Sequence, residues 1–158
     1  MKIFYTTKKR LFNDSSNVLG ILARGTDYVS EKPRKHPISP SVKLMFEDIK
    51  KMQESWNYDY FFLTTEDEII KRKFINEFKG KLKIFGNNIN INYKKKGLLC
   101  YNSKISGNIE YMNNYLINIL ILASCIDIIT ARTGGAIGAF ILRNGFRNNK
   151  VYYLGYYG

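Results

Sequence analysis

Arg24 directly follows the apolar run Val18-Leu19-Gly20-Ile21-Leu22-Ala23 and precedes Gly25, Thr26 and Asp27. An arginine there projects from the end of a buried strand on a rigid base. Its planar fork suits two phosphate oxygens and can hold the charge that develops as a pyrophosphate leaves. The plainer reading pairs Arg24 with Asp27 for structure alone, and both stand on these residues. Arg132-Thr133-Gly134-Gly135 also follows an apolar run, Ile128-Ile129-Thr130, and opens a helix. Glycines there let backbone N–H groups approach a phosphate, the helix N-terminus adds partial positive charge, and the Thr133 hydroxyl adds a donor. The alternative is an ordinary capped turn, packed tightly through Gly138 and Ala139. Thr65-Glu66-Asp67 brings carboxylates that can accept from a ribose or a base, or that merely open a helix, the better reading for Glu66. His36-Pro37 lies in a loop and belongs to no Ser/His or Cys/His arrangement. It can hold that loop over a ligand or touch a sugar or base.

The elements that must position these groups follow from apolar spacing. Val18–Ala23 reads as a buried strand. Ser41 caps a helix from Val42 to about Ser55, with Leu44, Met45, Ile49 and Met52 on one face. Tyr60–Thr64 is the second strand. Thr65 is expected to cap the next helix, whose apolar face is Ile69, Ile70, Phe74 and Phe78, with Gly80 at its end. Leu82–Phe85 is a third strand, and residues 87–108 are rich in Asn, Lys and Gly and read as loop. A helix from about Asn108 to Ala123, the strand Asp127–Thr130, a helix from Ala136 to Arg143 stopped by Asn144-Gly145, and a strand Val151–Leu154 complete the chain. Strands alternating with amphipathic helices specify a mainly parallel sheet covered on both faces, an α/β Rossmann-like three-layer sandwich. Ligands bind beyond the carboxyl ends of such strands. Arg24–Asp27, Thr64–Asp67 and Ala131–Gly135 all fall there.

The composition narrows the classes of partner. The 158 residues make one ordinary domain, and a net charge of +12 favours anionic partners. Two cysteines, Cys100 and Cys125, and one histidine give no zinc-ligand spacing, and neither a metal nor a cofactor is expected. Cytoplasmic residence is the simpler expectation for such cysteine usage. Met1–Arg10 lacks the apolar stretch of a signal peptide, and Tyr115–Cys125 is too short to span a bilayer. Met1–Asn17 carries no chemistry. Lys94-Lys95-Lys96 with Tyr93 and Tyr101 is the best footing for nucleic acid, which ranks last among the partners.

The three strand-end segments together resemble the superfamily of α-1,2-, α-1,6- and protein O-fucosyltransferases. The first shared motif is Leu22-Ala23-Arg24-Gly25-Thr26-Asp27-Tyr28, followed at a fitting distance by His36-Pro37. The second is Leu63-Thr64-Thr65-Glu66-Asp67, and the third Ile128-Ile129-Thr130-Ala131-Arg132-Thr133-Gly134-Gly135. Order and spacing match from Val18 to about Gly145. The resemblance implies one half of a GT-B fold, the donor-binding domain of an inverting, metal-independent enzyme that transfers fucose from GDP-fucose or handles a related GDP-sugar. It implies that Arg24 binds the β-phosphate and assists GDP departure. His36 and Asp67 would contact the nucleoside, and Thr133 and Gly134 the phosphates.

The chain departs from that pattern in places. Leu22 stands where a histidine is common, Gly25 where a second arginine is common, and Thr133-Gly134-Gly135 where serines are usual. The carboxylate to deprotonate an acceptor is best sought at Glu31, although strict alignment places Lys32 there. One domain where the superfamily has two implies an acceptor-binding domain in another chain, or none. A glycan or lipid-linked acceptor, surface-polysaccharide synthesis and peripheral membrane contact fit this reading. The alternative is a module that holds a nucleotide or a partner without catalysis.

Overall fold

Apolar strands such as Val18–Leu22 and Asp127–Ala131, buried along their whole length, need helices over both faces of their sheet, and the chain supplies them. The computed structural model of the protein describes residues 2–13, 16–25, 32–86 and 109–158. The elements run α1 (Lys2–Leu11), β1 (Val18–Leu22), α2 (Val42–Trp56), β2 (Tyr60–Thr64), α3 (Glu68–Glu77), β3 (Leu82–Lys83), α4 (Ile109–Ser124), β4 (Asp127–Ala131), α5 (Gly134–Arg143) and β5 (Asn149–Tyr152). All five strands are parallel, in the order β3-β2-β1-β4-β5. That is the Rossmann-like α/β sandwich expected from the alternation of strands and helices. The order reverses at β1, which pairs with β2 on one side and β4 on the other.

Side chains alternate across each strand and so divide the core in two. Leu19, Ile21, Phe61, Leu63 and Ile129 face α2 and α3, meeting Met45, Ile49 and Phe74. On that face Phe46 packs edge-on against Phe74 and Phe78, with ring centroids 4.9 and 5.2 Å apart. Val18, Leu22, Phe62 and Ile128 face the other way, toward Phe12, Ile121 and Leu122 of the α1–α4 side and Ala136 and Ala139 of α5. No helix among the described residues is long and apolar enough to cross a membrane.

The local signals mostly act as read. Ser41 Oγ accepts from Leu44 N at 3.2 Å, and Asn144 closes α5 in the left-handed conformation. Several expectations need correction. Thr65 does not cap α3: Asp67 does, its Oδ1 accepting from Ile69 N at 2.8 Å and Ile70 N at 3.0 Å. A carboxylate also complements the helix dipole, and Thr65 Oγ accepts from Asp67 N one step earlier. Ile69 is exposed, because five residues before Phe74 it falls on a different side of the 3.6-residue helix turn. The third strand ends at Lys83. The last strand is Asn149–Tyr152, two residues earlier than its apolar content suggests. Its register follows from Asn148 N donating to Asp127 Oδ1 at 2.8 Å, which delivers Asn149 beside Ile128. An edge strand tolerates the exposed Asn149 and Lys150 that result. Residues 2–11, assigned no element from the sequence, form α1.

Candidate functional site

The strand register brings the three polar segments side by side. Leu22 of β1 pairs with Thr64 of β2 and with Thr130 of β4, so the residues that follow all leave the sheet at one edge. Ala23 N donates to Thr64 O at 3.0 Å and carries the pairing one residue further. Above this edge opens a cleft of about 950 Å³, measured out to its solvent-open mouth. Arg24, Thr64, Thr65 and Glu66 line it from β1 and β2, and Thr133, Gly134 and Gly135 from the start of α5. The far wall is α4, through Tyr111, Asn114, Tyr115 and Asn118.

Arg24 is largely buried at the cleft edge, and its Nη1 lies 2.7 Å from Glu66 Oε2. The other oxygen of Glu66 accepts from the Tyr111 hydroxyl at 3.0 Å. A phenol, a carboxylate and a guanidinium therefore form one chain across the cleft mouth, joining α4 to the ends of β2 and β1. Burial, reinforced by the Glu66 charge, pushes the Tyr111 hydroxyl well above the usual tyrosine range, so it remains a donor at any working pH. Glu66, read from the sequence as an opening acid of a helix, is instead the partner of Arg24.

Thr133 caps α5, its Oγ accepting from Ala136 N at 3.3 Å. The backbone of Gly134 is exposed and a Cβ there would meet nothing within 4 Å, so this end of the helix is open to a ligand. Gly135 is different. A Cβ on it would stand 2.8 Å from the Tyr115 hydroxyl oxygen and 3.0 Å from Ile119 Cδ1, so a larger residue would have to shift the ends of these α4 side chains. Gly25 is the more constrained: its Cβ would come within 2.7 Å of Ile70 Cδ1 and 2.8 Å of Asp67 Cβ, an atom close to the backbone. Arg24, Thr133 and the α5 N-terminus together give the cleft one charged donor, one hydroxyl and partial positive charge, a set suited to phosphate oxygens.

The remaining sequence candidates lie elsewhere. Asp67 is buried, holds the cap of α3 and does not line the cleft. His36 sits in the loop 32–40, which pairs with the C-terminal segment: Tyr157 N donates to His36 O at 3.0 Å, and Pro37 bridges Tyr156. Arg132 is exposed and its Nη1 donates to the Tyr156 hydroxyl at 3.0 Å. His36 and Arg132 are thus both tied to the C-terminal segment, and neither lines the cleft. Asp27 and Glu31 lie outside the described residues, as do Cys100 and the lysines of 94–96. No cluster of His, Cys, Asp or Glu able to hold a metal ion occurs among the described residues.

Helix α4 is expected from the sequence, but none of its residues is expected at the site. Tyr111, Asn114, Tyr115 and Asn118 follow the i, i+3, i+4, i+7 spacing of one helix face, and a polar, aromatic stripe on an otherwise apolar helix is the signal that marks it. Ile84, Phe85 and Gly86 follow β3 and reach the cleft by the same strand-end rule as the other segments.

No protein-family model and no curated protein matches this chain by sequence. Its fold is similar to that of POFUT1 in a crystal structure of the complex with GDP, with a TM-score of 0.59 and 9% sequence identity. The similarity covers 95% of this chain and 46% of POFUT1, so the chain spans about half the length of that neighbour. At this identity the likeness is one of fold, a Rossmann-like α/β sandwich.

Proposed function

We propose that this chain is the donor-binding half of a fucosyltransferase-like glycosyltransferase and holds GDP-fucose or a related GDP-sugar. The observation that carries the reading is the cleft where Arg24 from β1 and Thr133 with Gly134 from α5 face one space at the carboxyl edge of the sheet. POFUT1, a GDP-fucose protein O-fucosyltransferase that shares the fold, was crystallised with GDP and supports the same class of ligand. In this reading Arg24 and the α5 N-terminus take up the charge that grows on the leaving diphosphate. Both are stronger there than in bulk water because Arg24 is largely buried and the donors are held in place by the fold. That charge handling needs no metal. The sugar carbon is attacked from the face opposite the diphosphate, with inversion, by a hydroxyl of a glycan or lipid-linked acceptor. Glu31 is the proposed base that removes its proton, and a domain outside this chain brings the acceptor.

Calorimetric titration of the wild type and Arg24→Ala with GDP, GDP-fucose, ADP and UDP tests the reading. Guanine-selective binding that weakens by about 1.5–3 kcal/mol, about tenfold to a hundredfold, in the variant is the expected result. A folded wild type that binds no GDP would sink it. The pairing of Arg24 with Glu66 favours one second reading, a module that holds a nucleotide without transferring a sugar. GDP binding with no fucose transfer, even when an acceptor domain is supplied in trans, would select it.

A further inference from the structure

Buried hydroxyls almost always have a hydrogen-bond partner, and the threonines around this cleft obey the rule with one exception. Thr65 Oγ accepts from Asp67 N, Thr130 Oγ donates to Ala131 O at 2.9 Å, and Thr133 Oγ accepts from Ala136 N. Thr64 Oγ is buried and has no hydrogen-bond partner among the described residues, in a residue only 8% exposed. Alternation along β2 puts Thr64 on the same sheet face as Phe62, beneath α4, and the residue lines the cleft. A group taken from water without a partner carries its full desolvation penalty until something in the site supplies one.

We propose that Thr64 is a specificity-determining binding residue. Its hydroxyl is left over by the fold for an uncharged hydrogen-bonding atom of the ligand, a sugar hydroxyl or a base edge. The inference rests on the nucleotide reading of the cleft and deepens it. Charge is handled elsewhere, by Arg24 and the α5 N-terminus. Leu22 and Phe85, which line the cleft with Thr64, bring none. A hydroxyl both donates and accepts, so it can serve either kind of atom. A ligand that offers a partner recovers the penalty, and one that lacks it does not, which is how a buried polar group discriminates.

Thr64→Val keeps the shape and the β-branch of the strand residue while removing the hydroxyl. Thr64→Ser keeps the hydroxyl. Stability without ligand is measured by chemical denaturation, and affinities are measured for guanosine, GDP, ADP, UDP and inorganic pyrophosphate. Thr64→Val is expected to be at least as stable as the wild type. It should weaken the preferred nucleotide, and its nucleoside, by about tenfold while leaving pyrophosphate unchanged. Thr64→Ser should stay within about threefold of the wild type. A less stable Thr64→Val would mean the hydroxyl already has a partner, and would overturn the inference. GDP binding indifferent to Thr64→Val overturns the inference and leaves the GDP reading standing. Binding of another nucleotide in place of GDP, sensitive to Thr64→Val, does the reverse. Binding of no member of the panel defeats both.

Discussion

Glu66 stands between a cation and a phenol, and its two oxygens serve different partners. It therefore does two things to Arg24: it fixes Nη1, and it offsets part of the positive charge that an incoming phosphate would meet. The two effects separate by substitution. Glu66→Gln retains an oxygen acceptor for Arg24 but removes the charge. Pyrophosphate affinity should then rise several-fold at low salt, on the order of 1 kcal/mol, with the gain shrinking as salt screens the site. Tyr111→Phe, which preserves the ring and both charges, should change that affinity far less. A drop in affinity for Glu66→Gln would show that the charge itself is needed to hold the guanidinium in place. The buried Cys125 belongs to the other category of residue. Burial pushes its thiol up to about 12, and it acts as a small apolar core group against β1.

At the scale of elements, the start of α3 and the loop after β1 are built against each other. Asp67 caps α3 and presses on Gly25, the residue next to Arg24. The helix cap thus also shapes the arginine loop. Asp67→Ala should cost about 1 kcal/mol, and up to about 2, in denaturant unfolding, as loss of an N-cap does. Thr65→Val should cost less, and the opposite ranking would return the cap to Thr65. Helix α5 shows the same economy: Thr133 satisfies Ala136 N, Gly135 lets α4 come close, and Gly134 keeps the N-terminus open.

At the scale of the molecule, the end of the sheet away from the cleft is held by one buried carboxylate. Asp127, fully buried at the start of β4, accepts from the Tyr58 hydroxyl at 2.5 Å, from Arg147 Nη2 at 2.6 Å and from Asn148 N at 2.8 Å. Arg147 in turn lies over the Trp56 ring, 4.6 Å from its centroid. The network ties the end of α2, the start of β4 and the approach to β5 into one unit. Burial alone would push the Asp127 carboxyl up, but the hydrogen bonds from Arg147, Tyr58 and Asn148 together hold it below the usual carboxylate range. A carboxyl whose folded pKa is depressed contributes stability that is present above its unfolded pKa, about 3.9, and is lost as pH falls toward the folded value. Asp127→Asn should therefore cost about 3 kcal/mol at neutral pH, because it leaves Arg147 and the buried dipoles without their charge. The difference between variant and wild type should narrow as the pH falls below about 4. Denaturant unfolding at neutral and acid pH measures both, and a gap that does not narrow would show that Asp127 is not the titrating group.

The sequence alone determined the class of fold and the sheet edge at which the three polar segments meet. Apolar runs of strand length alternating with helical periodicity leave little choice but a covered parallel sheet, and the ends of Val18–Leu22, Tyr60–Thr64 and Asp127–Ala131 follow from their turn residues. These are local quantities, set by side-chain spacing and caps within a few residues. What only the tertiary structure decided are partnerships across distance. Arg24 meets Glu66, which follows a different strand. Asp127, legible from the sequence only as the first residue of a strand, becomes the centre of a buried network. The face of α4 that closes the cleft, and the hydroxyl of Thr64 beneath it, acquire meaning only when the helix is laid across the sheet. Register and crossover direction make those choices, and both depend on how separate segments pack together rather than on the pattern within any one of them.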